Sequence, residues 1–201
     1  DLKFLITPTT GLNHIDLQES RRNNVTVLSL KYEKEFLKEV QSTSEHTWGL
    51  LLSLIRNIKP FTQNVEQGGW SRDKYDIQEL NTKTLGIIGY GRLGRIVAKY
   101  GLAFNMNILI NDTRDIGRLP HGVLHAELDE LLSNSDYILL LADYSDSNIN
   151  MISLKEFELM KEDAFFVNCS RGEMVDENAL LYSLKNQKTV PKGLLHLIAL
   201  L

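Results

Sequence analysis

The sequence has a single cysteine, Cys169, so no disulfide can form within the chain. That fits a reducing compartment, and a cytoplasmic location is expected. A lone cysteine reads first as a small buried hydrophobe. Positive charge is not in excess. Against 26 Asp and Glu stand 22 Lys and Arg, leaving a net charge of −4. No overall positive field draws such a chain to phosphate backbones, so nucleic acid is not expected as its main partner. Long apolar runs are missing too. Residues 48–55 and 193–201 are the most apolar stretches, far below the roughly 20 residues of a membrane-spanning helix. The N-terminus shows no basic-then-apolar signal pattern. Internal repeats and low-complexity tracts are lacking, and no metal site is expected.

What is present has the composition of an ordinary globular protein, 43% hydrophobic and 24% charged over 201 residues. That length allows one substantial core, or one domain with part of another. The chain starts on Asp1, runs at once into a strand-like pattern and ends inside an apolar run. Both ends read as cut, and a fragment of a longer protein is expected.

Residues 3–6 read as a strand. "TPTTGLNHIDLQES" is a loop running into a short helix, and "VTVLSL" is a second strand by its β-branched alternation. "KYEKEFLKEV" is a charged short helix or loop. The next segment, "STSEHTWGLLLSLIRNI", offers Ser42, Thr43 and Ser44 as caps and places apolar residues at 48, 51, 52 and 55. Leu50 and Leu54 widen that apolar surface. A subunit or domain interface would cover it, and so would deep burial within one domain. "QGGWSRDKYDIQEL" resembles a linker. Beyond it strands and helices alternate strictly. Strands are expected at 84–88, 107–111, 136–141 and 164–168. Helices are expected at 92–103, 128–133, 153–160 and 177–186, with a capping box from Ser153 to Glu156. The pattern predicts an α/β fold, a Rossmann-type doubly wound parallel sheet with both faces covered.

Gly89-Tyr90-Gly91-Arg92-Leu93-Gly94 is G-x-G-x-x-G between a predicted strand and a predicted helix. The first glycine permits the turn, the second lets a pyrophosphate approach the backbone, and the third lets helix and strand pack closely. The amides of Arg92 and Leu93 would face the phosphates at the positive end of the helix dipole. Asp112 ends the following strand, 18 positions beyond Gly94, near the spacing of a ribose-binding acid. A carboxylate there favours NAD over NADP, and Arg114, two residues on, softens the preference. Standing alone, Asp112 would read equally well as a strand-end turn residue.

A second strand end carries "DAFFVNCSRGEMVDENAL". Arg171 would stand at the rim of the cofactor cleft, where a guanidinium can hold a carboxylate by two parallel bonds. A surface ion pair is the commoner fate of such an arginine. Cys169 and Ser170, beside it at the strand end, are counted with the cofactor site. Asp176 is placed to cap the next helix.

From Leu2 to about Lys188 the sequence resembles the NAD-dependent D-isomer-specific 2-hydroxyacid dehydrogenases, in particular their phosphoglycerate dehydrogenase-like branch. The resemblance rests on "TTGLNHIDL", "STSEHTWGLLLSLIRNI", "GGWSR", "LGIIGYGRLGRIVAKY" with Asp112, "LDELLSNSDYILL" and "LMKEDAFFVNCSRGEMVDENAL", in that order. It implies two α/β domains with the active site between them. Residues 1–42 would be the tail of a flavodoxin-like substrate domain, and residues 43–201 an NAD-binding domain truncated at its C-terminus. It further implies that Arg171 is the active-site arginine that binds the substrate's carboxylate and carbonyl oxygen. The helix over residues 44–58 would help form a homodimer.

Three departures stand against the family pattern. The family's histidine acid/base and its supporting glutamate lie beyond this chain; His14 and His46 sit in segments matching other family motifs, His121 and His125 in a variable stretch and His196 in the ending, so none is expected to replace it. The ending "PKGLLHLIALL" lacks the family's "ALDV"-like strand and the aspartate aimed at the nicotinamide amide. Leu141-Ala142-Asp143 replaces the usual His-x-Pro, adding negative charge on the nicotinamide side. The expectation is an NAD-dependent oxidoreductase acting on a 2-hydroxy or 2-keto acid, with little turnover in this chain by itself. An NAD-sensing dimerisation module is the alternative. A domain that binds S-adenosylmethionine fits the three-glycine loop and Arg171 less well.

Overall fold

The computed structural model describes residues 1–71, 73–186 and 193–195; Arg72 of the "GGWSR" motif and His196 lie outside them. The chain divides into two compact units, Asp1–Gln41 and a second that begins at Ser42.

In the first unit, β1 (Phe4–Thr7) pairs in parallel with β2 (Thr26–Ser29), Phe4 opposite Thr26 and Thr7 opposite Ser29. Helix α1 (Leu17–Arg22) connects them. It starts where sequence chemistry asks it to, the Asp16 carboxylate accepting from the Glu19 amide at 2.8 Å. Helix α2 (Lys34–Glu39) follows. Leu12 and Leu37 are buried, while Phe4, Ile6 and Leu28 are exposed. A parallel pair is ordinarily covered on both faces, and a unit of this size has too little chain to do so.

The second unit opens with α3 (Ser42–Ile55) and α4 (Ile58–Glu66). The helix expected over 44–58 therefore ends at Ile55, and α4 beyond it was not expected. Asn57 adopts a left-handed conformation, φ +50°, and its side-chain amide donates to the Asp76 carbonyl, which ends α3 and redirects the chain. The three candidate caps fall inside the first turn of α3 instead of ahead of it.

After the irregular segment to Leu80 the alternation begins. Strands β3 (Thr84–Ile88), β4 (Asn107–Asn111), β5 (Val123–His125), β6 (Tyr137–Leu140), β7 (Phe165–Asn168) and β8 (Gly193–Leu195) form one parallel sheet in the order β5-β4-β3-β6-β7-β8. Helices α5 (Arg92–Ala103), α6 (Leu128–Asn134), α7 (Leu154–Leu159) and α8 (Glu177–Asn186) are the crossovers. β5 and β8 were not expected, because three residues are too few to show a period; β8 lies within "PKGLLHLIALL", read as not following the family's strand there. The Ser153–Glu156 capping box forms. So does the cap of α8, Asp176 Oδ1 accepting from the Asn178 amide at 2.9 Å and the Ala179 amide at 3.2 Å.

Side chains alternate between two cores, as the two-residue period of a strand requires. Leu85, Ile87, Tyr137, Leu139 and Val167 face Trp48, Leu51 and Ile55 of α3 and Val97 and Ala98 of α5. Ile88, Ile138, Leu140 and Phe166 face Leu131, Leu132, Phe157 and Leu180. Both faces are covered, so the strands read as nearly unbroken apolar runs. The order of strands reverses direction between β3 and β6. An open α/β sheet leaves its ligand crevice at that point, beyond the carboxyl ends of the strands.

Candidate cofactor and substrate site

β3 leads into the glycine loop, and the three glycines have three separate reasons. Gly89 has φ +96°, and a Cβ on it would stand 2.4 Å from the amide nitrogen of Ala142 at the end of β6. A Cβ on Gly94 would stand 2.3 Å from the Gly89 carbonyl oxygen, so helix and loop touch here backbone to backbone. A Cβ on Gly91 would meet nothing within 4 Å except the Arg114 guanidinium, Nη2 at 3.5 Å. The space above Gly91 is open to the crevice. Gly91 is also the N-cap of α5, and no side chain caps that helix. An uncapped helix N-terminus behind a glycine with open space over it has the chemistry a pyrophosphate requires. These residues fit a dinucleotide.

The other loop residues serve the protein as well. The Tyr90 ring is buried, the Arg95 guanidinium lies over it at 4.6 Å, and burial pushes the phenol pKa up. Burial lowers the pKa of Arg92. Leu93 is the second residue of α5 and is half-buried.

Asp112 follows β4. Its side chain is 6% exposed and accepts four hydrogen bonds. Oδ2 takes the Tyr90 amide at 2.8 Å and Arg114 Nη2 at 2.7 Å; Oδ1 takes the Arg114 amide at 3.0 Å and Nε at 2.9 Å. The Arg114 side chain, aided by the two amides, holds the carboxyl well below its usual range against the opposing effect of burial. Sequence spacing placed Asp112 near the loop. It did not reveal that the same acid braces the Tyr90 amide or that Arg114 grips it.

β7 ends at Asn168, whose side chain is buried and ties down the turn that follows. Its Oδ1 accepts from the Ser170 amide at 2.9 Å, and its Nδ2 donates to the Arg171 carbonyl at 2.9 Å. Ser170 Oγ donates to the Ala142 carbonyl, linking this turn to the end of β6. The Cys169 thiol is packed in the core beside α3; burial raises its pKa, with the Thr47 hydroxyl acting the other way. It stays a neutral thiol at neutral pH. Arg171 is half-buried, and its Nη1 donates to the Ser170 carbonyl at 3.0 Å. Asn168 is the residue that sequence reading missed. A polar residue ending an apolar strand was the available signal.

Asp143 is exposed just past β6, near enough to Arg114 for its charge to be felt there. His14, His46, His121 and His125 are all exposed. His46 lies on α3, and His125 ends the edge strand β5, four strands from β7. Among the described residues no helix is long and apolar enough to cross a membrane.

A family model described as "D-isomer specific 2-hydroxyacid dehydrogenase, NAD binding domain" matches residues 48–193. A glycerate dehydrogenase of Methylorubrum extorquens is 33% identical over 192 residues, covering 92% of this chain and 58% of that protein. A D-3-phosphoglycerate dehydrogenase of Methanocaldococcus jannaschii is 32% identical over 93% of this chain and 35% of its own length. Among solved structures, a D-lactate dehydrogenase from Aquifex aeolicus, complexed with NAD and lactic acid, superposes with a TM-score of 0.81 at 32% identity. That superposition covers 96% of this chain and 56% of the other. The chain thus spans little more than half the length of the first relative and a third of the second.

Proposed function

The chain belongs to the D-isomer specific 2-hydroxyacid dehydrogenases and carries their NAD-binding domain; on that premise we propose that the protein moves hydride between NAD and C2 of a 2-hydroxy acid or its 2-keto partner. The supporting observation is that two chemically different strand ends flank one crevice. The uncapped glycine loop ends β3, and Arg171 follows β7 with only β6 between them, about 10 Å across the sheet.

In this reading Gly89, Tyr90, Gly91, Arg92, Leu93 and Gly94 form the pyrophosphate cradle, and Asp112 takes the adenosine ribose. Cys169 and Ser170 shape the floor of the crevice. When bound, NAD supplies the hydride chemistry. Arg171 holds the carboxylate of the substrate and polarises its carbonyl oxygen. The family's acid/base histidine has no counterpart among the motifs of these residues, so the 201-residue chain by itself is expected to bind NAD with little turnover. Residues 1–42 contribute the tail of the substrate domain and residues 43–201 the cofactor domain. The absence of a membrane-spanning helix among the described residues and the single buried thiol suit a cytoplasmic protein.

The apolar surface of α3 supports a homodimer. Trp48, Gly49 and Leu52 line a groove with Tyr100, Ala103 and Phe104 of α5 and its end, and the Trp48 and Phe104 rings are 5.0 Å apart. That surface also favours a second reading, a module whose dimer equilibrium is set by NAD. Calorimetric titration with NADH, followed by steady-state assays with several 2-keto acids, tests the proposal. No binding at millimolar NADH overturns it. Turnover near ~10 per second would overturn the expectation of an inactive chain. Sedimentation that shifts with NADH, in a full-length protein without turnover, favours the module.

A further inference from the structure

A ribose that docks on Asp112 needs lone pairs to receive its hydroxyl protons. An ionised carboxylate offers about four acceptor sites, and Asp112 already accepts four hydrogen bonds. Two come from main-chain amides, of Tyr90 and Arg114, and are fixed by the turn. The other two come from the Arg114 guanidinium. The acid therefore has no acceptor left for a ribose until that guanidinium yields.

The guanidinium is free to yield. Its side chain is 63% exposed, and Nη2 stands over the glycine loop, 3.5 Å from where a Cβ on Gly91 would be. It engages Asp112 through Nε and Nη2 alone. The donors on Nη1 and the second hydrogen of Nη2 make no hydrogen bond among the described residues. A planar fork with spare donors suits a phosphate monoester through parallel bonds. An acid by itself selects NAD by accepting from the ribose and repelling a 2′-phosphate. Asp112 is instead charge-matched by a cation at the same spot.

We propose that Arg114 sets which form of the cofactor is accepted, admitting the 2′-phosphorylated dinucleotide NADP beside NAD. This rests on the reading of Asp112 as the ribose contact. Two acids face Arg114, Asp112 and, at the end of β6, Asp143. Their combined charge exceeds that of the one guanidinium, so NADP is accepted alongside NAD and not in preference to it.

The test is a calorimetric titration of the full 201-residue chain with NADH and with NADPH, for the wild type, Arg114→Gln and Arg114→Lys, with thermal melting to report folding. The wild type is expected to bind NADPH within about tenfold of NADH. Arg114→Gln should weaken NADPH by about tenfold or more while leaving NADH unchanged or tighter, because the acid regains its acceptors. Arg114→Lys, which keeps the charge and loses the fork, should fall between them. A wild type that binds NADH but not NADPH at millimolar levels overturns the inference and leaves the cofactor site standing. So does Arg114→Gln weakening both alike. Binding of neither dinucleotide overturns the cofactor site itself and this inference with it.

Discussion

The two strand ends that flank the crevice are built by opposite means. After β3 the chain turns on main-chain geometry. Gly89 takes a left-handed φ, Gly94 lets two backbones meet, and only the Arg114 guanidinium reaches the space above Gly91. After β7 the turn is held by side chains. Asn168 spans it with two hydrogen bonds and Ser170 ties it to β6. The first construction leaves main-chain donors uncapped at the start of α5. The second pins the main chain of Ser170 and Arg171. The loop tolerates no added atom at Gly89 or Gly94, where main chain meets main chain, whereas a side-chain brace can be weakened one bond at a time.

The largest effect should come from Gly89→Ala. The new Cβ meets main-chain atoms of Ala142 and the residue must keep φ +96°. A loss of about 3 kcal/mol or more in urea unfolding is expected, and an unchanged midpoint would sink the backbone account of this turn. Next comes Arg171→Lys, tested in the full-length protein. It should lower kcat/KM for 2-keto acids by about a hundredfold without moving the melting temperature, since the planar fork is lost and the charge kept. A stability loss with unchanged kinetics would make Arg171 part of the brace and not of the site. Asn168→Ala removes both hydrogen bonds of a buried side chain and should cost about 2 kcal/mol in the same unfolding experiment.

Gly91→Ala sharpens the contrast further. Nothing in the fold opposes its Cβ apart from the movable Arg114 side chain. Stability should stay within about 0.5 kcal/mol, while NADH affinity falls about tenfold. Loss of stability with NADH affinity kept would reverse the assignment. The smallest effect is acid dependence at Asp112. Its pKa is held below that of an unfolded aspartate, first by the Arg114 side chain. The carboxylate therefore contributes stability above about pH 4, and that contribution fades as pH falls further. With Arg114 63% exposed, the pair is worth less than about 1 kcal/mol. The stability gap between wild type and Asp112→Asn should narrow from pH 6 to pH 3, and a gap that widens would contradict the ion pair.

Most of the second unit was legible because its signals are local. Period-two and helical patterns placed β3, β4, α5 and α8 with their observed bounds, and the capping box at Ser153 and the cap at Asp176 formed as read. The misses have physical causes. Asn57 gave no sign of its left-handed conformation, so the helix was expected to run on from Ile55 to residue 58, and α4 was not expected. β5 is defined by its partner β4 and not by its own three residues. At the candidate site the glycines and Asp112 were visible by spacing and Arg171 by its strand end, but the brace made by Asn168 was not.

The chain's local chemistry by itself determined where the loop turns, which helix starts without a cap and which strand faces are apolar, because φ, capping and periodicity act over a few neighbours. Only the tertiary structure decided that the Tyr90 amide reaches Asp112 and that Ser170 ties its turn to Ala142. Those bonds join groups as far apart in sequence as Tyr90 and Asp112. A donor's choice among acceptors is made by packing, after distant strands have been brought side by side.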